Sequence, residues 1–186
     1  MNSQPSLLEL MKDNNVKIIG GKWKRKNISF NEAKGLRPTL GVVRETLFNW
    51  LGQDLNNKKC LDLFAGTGAL GFEALSRNAE SCTFVENNPS TFQKLIENKE
   101  NLKADNAIIK KIHADFFIKN NEELFDIIFF DPPFVLDNSI QLIEFIRKFL
   151  KPHGVIYFET NIKLPENFLE IIKTSRVGKV YFHLVH

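Results

Sequence analysis

From Lys59 onward the chain alternates short apolar runs with stretches of helical spacing, an order that few architectures accommodate. The runs Cys60 to Phe64, Cys82 to Glu86, Ala107 to His113, Asp126 to Phe130 and Val155 to Glu159 are short and mostly apolar, as a sheet covered on both faces requires. Ala69 to Arg77, Pro89 to Leu102 and Ser139 to Leu150 read as the intervening helices. Pro89 suits a first helical turn, and Lys151-Pro152-His153-Gly154 reads as a stop signal. Leu169 to Val185 reads as two strands turned at Val177-Gly178-Lys179. The expected fold class is therefore α/β, an open, mostly parallel sheet with an antiparallel C-terminal hairpin.

Ahead of this alternation lies a different kind of sequence. Val16 to Phe30 has short apolar-polar stretches broken by Gly20-Gly21 and Asn27, which suggests a small β-hairpin. Gly35-Leu36-Arg37-Pro38-Thr39 follows, with Arg37 biased toward extended backbone by the proline after it. Thr39 is placed to cap a helix whose apolar stripe is Val43, Leu47, Trp50 and Leu51, with Arg44 projecting off that stripe. The chain is thus expected to divide into a flexible tail over 1–15, a hairpin and helix over 16–52, and the sheet domain over 53–186.

The overall charge of +3 hides a strong segregation. Residues 17–44 carry +7, residues 1–16 carry −1 and residues 45–186 carry −3. A basic arm on a neutral-to-acidic body is the footprint of polyanion binding. Trp23 lies between Lys22 and Lys24 in Lys22-Trp23-Lys24-Arg25-Lys26, which points toward nucleic acid: amines meet phosphates while rings stack on bases. No apolar run approaches the roughly 18 residues of a membrane span, and 1–15 lack the features of a secretion signal, so a soluble cytoplasmic protein is expected. Cys60 and Cys82 fall in core strands without metal-ligand spacing and read as reduced thiols; no metal site is expected.

In open α/β sheets ligands gather at the carboxyl ends of the strands. After the first run comes Asp62-Leu63-Phe64-Ala65-Gly66-Thr67-Gly68-Ala69-Leu70-Gly71, containing G-x-G-x-x-G, whose glycines let a ligand approach the main chain. After the second comes Glu86, suited to the hydroxyls of a ribose; after the third, Asp115-Phe116, suited to hold and flank an adenine. The fourth ends in Asp131-Pro132-Pro133-Phe134, which looks like an amino-methylating tetrapeptide. An exocyclic amine on a base is a poor nucleophile because its lone pair is delocalised, so acceptors must gather around its N–H bonds. Asp131 and the Pro132 carbonyl supply them, neither proline brings a competing N–H, and Phe134 offers a flat face to a base swung out of its stack. The glycine pattern also describes nicotinamide enzymes. S-adenosylmethionine is favoured because Asp62 suits a methionine ammonium, whereas a dinucleotide wants helix N–H groups facing a pyrophosphate. The tetrapeptide, moreover, has no task in hydride transfer.

Gly20-Gly21-Lys22-Trp23, Gly35-Leu36-Arg37-Pro38-Thr39, Val43 to Leu51, Leu61 to Gly71 and Asp131-Pro132-Pro133-Phe134 together resemble the RsmD family, bacterial 16S ribosomal RNA guanine-N2 methyltransferases. The resemblance runs from about Lys17 to the C-terminus. It implies a Rossmann-like class I methyltransferase sheet of seven strands and S-adenosylmethionine held by Asp62, Phe64, Ala65, Gly66, Gly68, Glu86, Asp115 and Phe116. It also implies catalysis at Asp131, Pro132, Pro133 and Phe134, and 16S rRNA gripped by Lys22, Trp23, Lys24, Arg25, Lys26, Arg37 and Arg44, as part of a partly assembled small subunit approached by a monomer. Leu40-Gly41-Val42 departs from the polar residues usual in such sequences after Arg37-Pro38-Thr39. Two other readings share these features: an adenine-N6 or cytosine-N4 methyltransferase of DNA, and a non-catalytic RNA-binding assembly factor.

Overall fold

A computed structural model describes residues 14–31, 39–132, 139–162, 164 and 170–186. Strands β1 (Asn14–Lys17) and β2 (Asn27–Phe30) pair antiparallel, Val16 facing Ile28, as the expected hairpin. A 3-10 turn, Gly21–Trp23, links them. Helix α1 (Gly41–Leu51) precedes the alternating body: β3 (Lys59–Asp62), α2 (Ala69–Ser76), β4 (Ser81–Glu86), α3 (Pro89–Leu102), β5 (Ala107–Lys111), α4 (Ala114–Asn120), β6 (Phe125–Phe130), α5 (Ser139–Ile146), β7 (Leu150–Thr160), β8 (Ile171–Val177) and β9 (Val180–Val185).

Seven of the strands form one sheet in the order β5-β4-β3-β6-β7-β9-β8, in which only the pairings of β9 are antiparallel. The order reverses between β3 and β6, so the loops leaving β3, β4, β6 and β7 open on one edge, the crevice where open α/β sheets bind ligands. The sheet is covered on both sides. One face packs Cys60, Phe129 and Tyr157 against Phe48, Phe72 and Ala74, and the other packs Leu61, Ile128 and Phe158 against Phe117, Ile143 and Phe149.

The hairpin belongs to the first of these cores: Val16, Ile18, Trp23, Ile28 and Phe30 are buried in the same cluster as Phe72 and Phe84. Its tip rests on α2 through backbone that only glycine provides. A Cβ on Gly20 would lie 2.3 Å from Arg77 Nη2, and one on Gly21, at φ +72°, would lie 1.9 Å from the Ser76 carbonyl oxygen. β2 is fastened to α3 as well, because Asn98 accepts from the Ser29 N–H at 2.9 Å and donates to its carbonyl at 2.8 Å.

Four expectations need correction. Thr39 does not cap α1; Leu40 occupies the N-cap, and the Thr39 hydroxyl instead donates to Asp131. Residues 114–120, unassigned from sequence, form α4, a helix whose seven residues are too few to display a clear period. Ser139 to Leu150 splits into α5 and a 3-10 turn, Arg147–Phe149. The helical segment does stop at Phe149, just ahead of Lys151-Pro152-His153-Gly154, but the strand expected from Val155 begins at Leu150 and carries this stretch as a bulge: the register passes from Phe125 facing Leu150 to Ile127 facing Val155, and His153 takes φ 64°. Pro152 has no N–H to add to a ladder, so this stretch leaves the pairing. Residues 1–13, Arg37, Pro133 and Phe134 lie outside the described residues.

Candidate active site

Asp62, the last residue of β3, turns its carboxylate under the following loop, where Oδ2 accepts from the Gly71 N–H at 3.1 Å. Gly71 stands in the first turn of α2, so an acid already occupies a helix N-terminus that a pyrophosphate would need. The loop bends at Gly66 (φ 49°) and Gly68 (φ 74°), the latter at the N-cap of α2; the Gly68 N–H donates to the Ala65 carbonyl at 2.6 Å. A Cβ at Gly68 would meet Leu95 Cδ2 at 2.6 Å. Ala65 is buried with its N–H on the Val85 carbonyl at 3.0 Å, and Phe64 packs on the Phe130 ring 5.7 Å away. At the end of β4, Glu86 accepts from the Gly66 N–H at 3.0 Å through one oxygen and from the Asn88 N–H at 2.7 Å through the other. Its carboxylate is thereby aimed along the rim of the bend, with lone pairs left for hydroxyl donors.

Asp131 leaves β6, the neighbour of β3, and is held by the Thr39 hydroxyl. Pro132 is buried behind it. Burial pushes the Asp131 carboxyl well above the ordinary carboxylate range, and the charges of Glu159 and Asp62 raise it further, while the Thr39 hydrogen bond opposes them. Asp131 and Asp62, the latter at the head of the glycine bend, thus lie within electrostatic reach of each other at the point where the strand order reverses. Asp115 and Phe116 sit in the first turn of α4, both exposed; Phe116 also borders a cleft of about 360 Å³ beside Lys110, Ile112 and Asn120.

Burial also raises Asp62, from 3.8 to about 8, with the Gly71 N–H opposing and the Glu86 charge adding to the shift. The fold then binds a proton that the unfolded chain releases, so this group favours folding fully below about pH 4 and loses that contribution as pH rises through about 8. Asp62→Asn keeps an acceptor for Gly71 and removes the charge. In the ligand-free protein its melting temperature relative to wild type is expected to be higher at pH 8.5 than at pH 5, as measured by differential scanning calorimetry; a difference that does not vary with pH would refute the assignment.

The basic arm divides. Lys22, Lys24, Arg25 and Lys26 are exposed at the hairpin tip, but Trp23 is 6% exposed and Arg44 4%, which corrects the expectation that both face RNA. Trp23 is a core residue whose ring carries Lys22 Nζ at 4.6 Å. Arg44 points inward, its Nη1 donating to the Lys17 carbonyl at 3.0 Å and lying 3.7 Å from Glu73 Oε2. Burial lowers the Arg44 pKa, and Glu73 counters it.

Sequence reasoning missed Glu73 itself. It is 0% exposed on α2 and accepts from the N–H groups of Ile19 (2.8 Å) and Gly20 (2.7 Å) and from Arg77 Nε (2.9 Å). Next to it, Ser76 Oγ accepts from the Trp23 N–H at 2.9 Å and donates to the Gly20 carbonyl at 2.6 Å. The signal was present in Ala69-Leu70-Gly71-Phe72-Glu73-Ala74-Leu75: a lone charge in an apolar helix requires a buried partner. Glu159, at the end of β7, and Tyr157, whose hydroxyl donates to it, were passed over too.

The family described as Conserved hypothetical protein 95 matches residues 16–186. Ribosomal RNA small subunit methyltransferase D of Escherichia coli is 41% identical over 177 residues, covering 91% of this chain and 88% of that protein. The Haemophilus influenzae protein of the same name is 38% identical, with 91% and 92% covered. A solved structure of a putative methyltransferase from Escherichia coli superposes with a TM-score of 0.79 at 35% identity, covering 92% of this chain and 97% of that one. With the class I sheet order, the glycine bend and the acid after β6 all in place, the chain is a methyltransferase and belongs to the RsmD family.

Proposed function

We propose that the protein transfers a methyl group from S-adenosylmethionine to the exocyclic N2 of a guanine in 16S rRNA, presented by a partly assembled small ribosomal subunit. The observation that supports this reading is that Asp131, just past β6, lies within electrostatic reach of Asp62 on the neighbouring β3, so that an acceptor for an amine would stand near a seat for a methyl donor. The names of the relatives support an rRNA substrate.

The residues fit such a donor. Asp62 would hold its ammonium, Gly66 and Gly68 would let it lie against the main chain, Glu86 would accept from its ribose hydroxyls, and Asp115 and Phe116 would meet its adenine. When bound, S-adenosylmethionine supplies an electrophilic methyl group on a sulfonium. Asp131 Oδ and the Pro132 carbonyl accept from the two N2 hydrogens, which turns the nitrogen lone pair away from the ring and fixes its direction, and Phe134 stacks on the base. Much of the acceleration then comes from positioning. Asp131 Oδ takes the proton that N2 gives up once methylated, a strong base being unnecessary because methylation makes that N–H acidic.

The grip on RNA resides in the exposed cations of the hairpin tip, Lys22, Lys24, Arg25 and Lys26. Replacing Lys24, Arg25 and Lys26 together with glutamine is expected to raise KM for the subunit, leave kcat nearly unchanged, and flatten the slope of log affinity against log salt by about 2. Filter binding across a salt series measures it, and an unaltered slope would place the grip elsewhere. The reaction itself is tested by incubating small subunits from a deletion strain with labelled S-adenosylmethionine and mapping the modified nucleoside. N2-methylguanine is expected; label in adenine, in cytosine or in no base would overturn the proposal.

A further inference from the structure

The carboxyl ends of β6 and β7 hold more acid than one acceptor for an amine explains. Phe129 faces Tyr157 and Phe130 faces Phe158 in the last pairs of this ladder, and carrying the register one residue past the end of β6 brings Asp131 level with Glu159, whose charge acts on it. Each carboxyl has its own hydroxyl donor, Thr39 for Asp131 and Tyr157 for Glu159. The groups facing Asp131 are Glu159 and Tyr157 from β7, Asp62 from β3 and Thr39 ahead of α1, so every ionisable one among the described residues is an acid. Two adjacent carboxylates partly removed from water do not both ionise readily, and their titration belongs to the pair.

We propose that Asp131 and Glu159 form a carboxyl pair sharing one proton, in which Glu159 sets the pH at which Asp131 becomes competent and relays outward the proton Asp131 collects from the methylated amine. The inference deepens the reading of methyl transfer to an amino group and rests on it. In the step concerned, the N–H bond of the alkylated nitrogen breaks, its electron pair stays on nitrogen, and the proton bonds to Asp131 Oδ. That O–H bond then breaks as the proton passes to Glu159 Oε, from which water removes it, returning the pair to its starting charge. Glu159 is thus a positioning residue that acts through Asp131. Burial and the Glu159 charge both hold the Asp131 carboxyl above its ordinary range, in keeping with this arrangement.

Glu159→Gln tests it, because glutamine keeps the acceptor for the Tyr157 hydroxyl and removes only the charge. The acid limb of the kcat/KM profile is expected to move down by about one pH unit, a gain of about tenfold relative to the plateau at the foot of the wild-type limb. A limb at the wild-type pH would overturn the pair. Carbon-13 NMR of protein labelled at aspartate carboxyls reads the same quantity without turnover: the signal absent from Asp131→Asn is expected to titrate at lower pH in Glu159→Gln than in wild type, and an unshifted signal overturns the proposal. A wild-type enzyme that methylates no amine would overturn the parent reading instead, while the NMR titration would still decide whether the two carboxyls are coupled.

Discussion

Replacing Asp131 with alanine is expected to lower kcat for methyl transfer by about a thousandfold while leaving the affinity for S-adenosylmethionine within a few fold of wild type. The two effects separate because Asp131 follows β6, whereas the groups assigned to the donor lie on β3, β4, the loops that follow them and the first turn of α4. Truncation takes away an oriented acceptor for an amine N–H and the first recipient of its proton. It also removes a carboxyl crowded by Glu159 and Asp62, so the fold should not weaken on electrostatic grounds. Single-turnover kinetics on deletion-strain subunits measures the rate, calorimetry measures donor binding, and a melting curve checks the fold. Full rescue of a deletion strain's phenotype by Asp131→Ala would mean that the protein serves the ribosome as a binding factor and not through catalysis.

A second large effect is expected far from the chemistry. Glu73→Gln should destabilise the protein by about 3–5 kcal/mol, lowering the melting temperature by about 10 °C. The carboxylate is fully buried and receives two backbone N–H groups of the hairpin together with the Arg77 guanidinium, with Arg44 close by. Glutamine leaves two buried guanidinium groups without their counter-charge and directs an NH₂ at one of the N–H donors. Hydrogen exchange should show the loss concentrated in β1 and β2 before the sheet is affected. A melting temperature unchanged by the substitution would deny Glu73 this role.

How far the sequence could be read depends on the range of the interactions involved. The strand-helix alternation, the glycine bend and the hairpin were legible because periodicity and backbone conformation are local properties, and Pro89 marks the start of α3 as expected. The fates of Trp23, Arg44 and Thr39 were not. A ring among lysines looks like a stacking platform until its backbone N–H is found on Ser76, 53 positions away, and an arginine in a basic segment looks solvated until it meets Glu73. In the site, the acids at strand ends were visible from spacing. Their mutual repulsion was not, because it arises from β6 and β7 lying side by side, a neighbourhood that the order of residues does not spell out.

The hairpin carrying the exposed cations has no interior of its own: Trp23, Ile28 and Phe30 complete the layer that also contains Phe72 and Phe84. The proposed polyanion grip is therefore welded to the catalytic scaffold and cannot be handled as an accessory. A chimera that transplants the grip onto another enzyme must bring the receiving surface of α2 and α3 with it, and natural variation at Gly20, Gly21, Glu73 and Ser76 is constrained jointly.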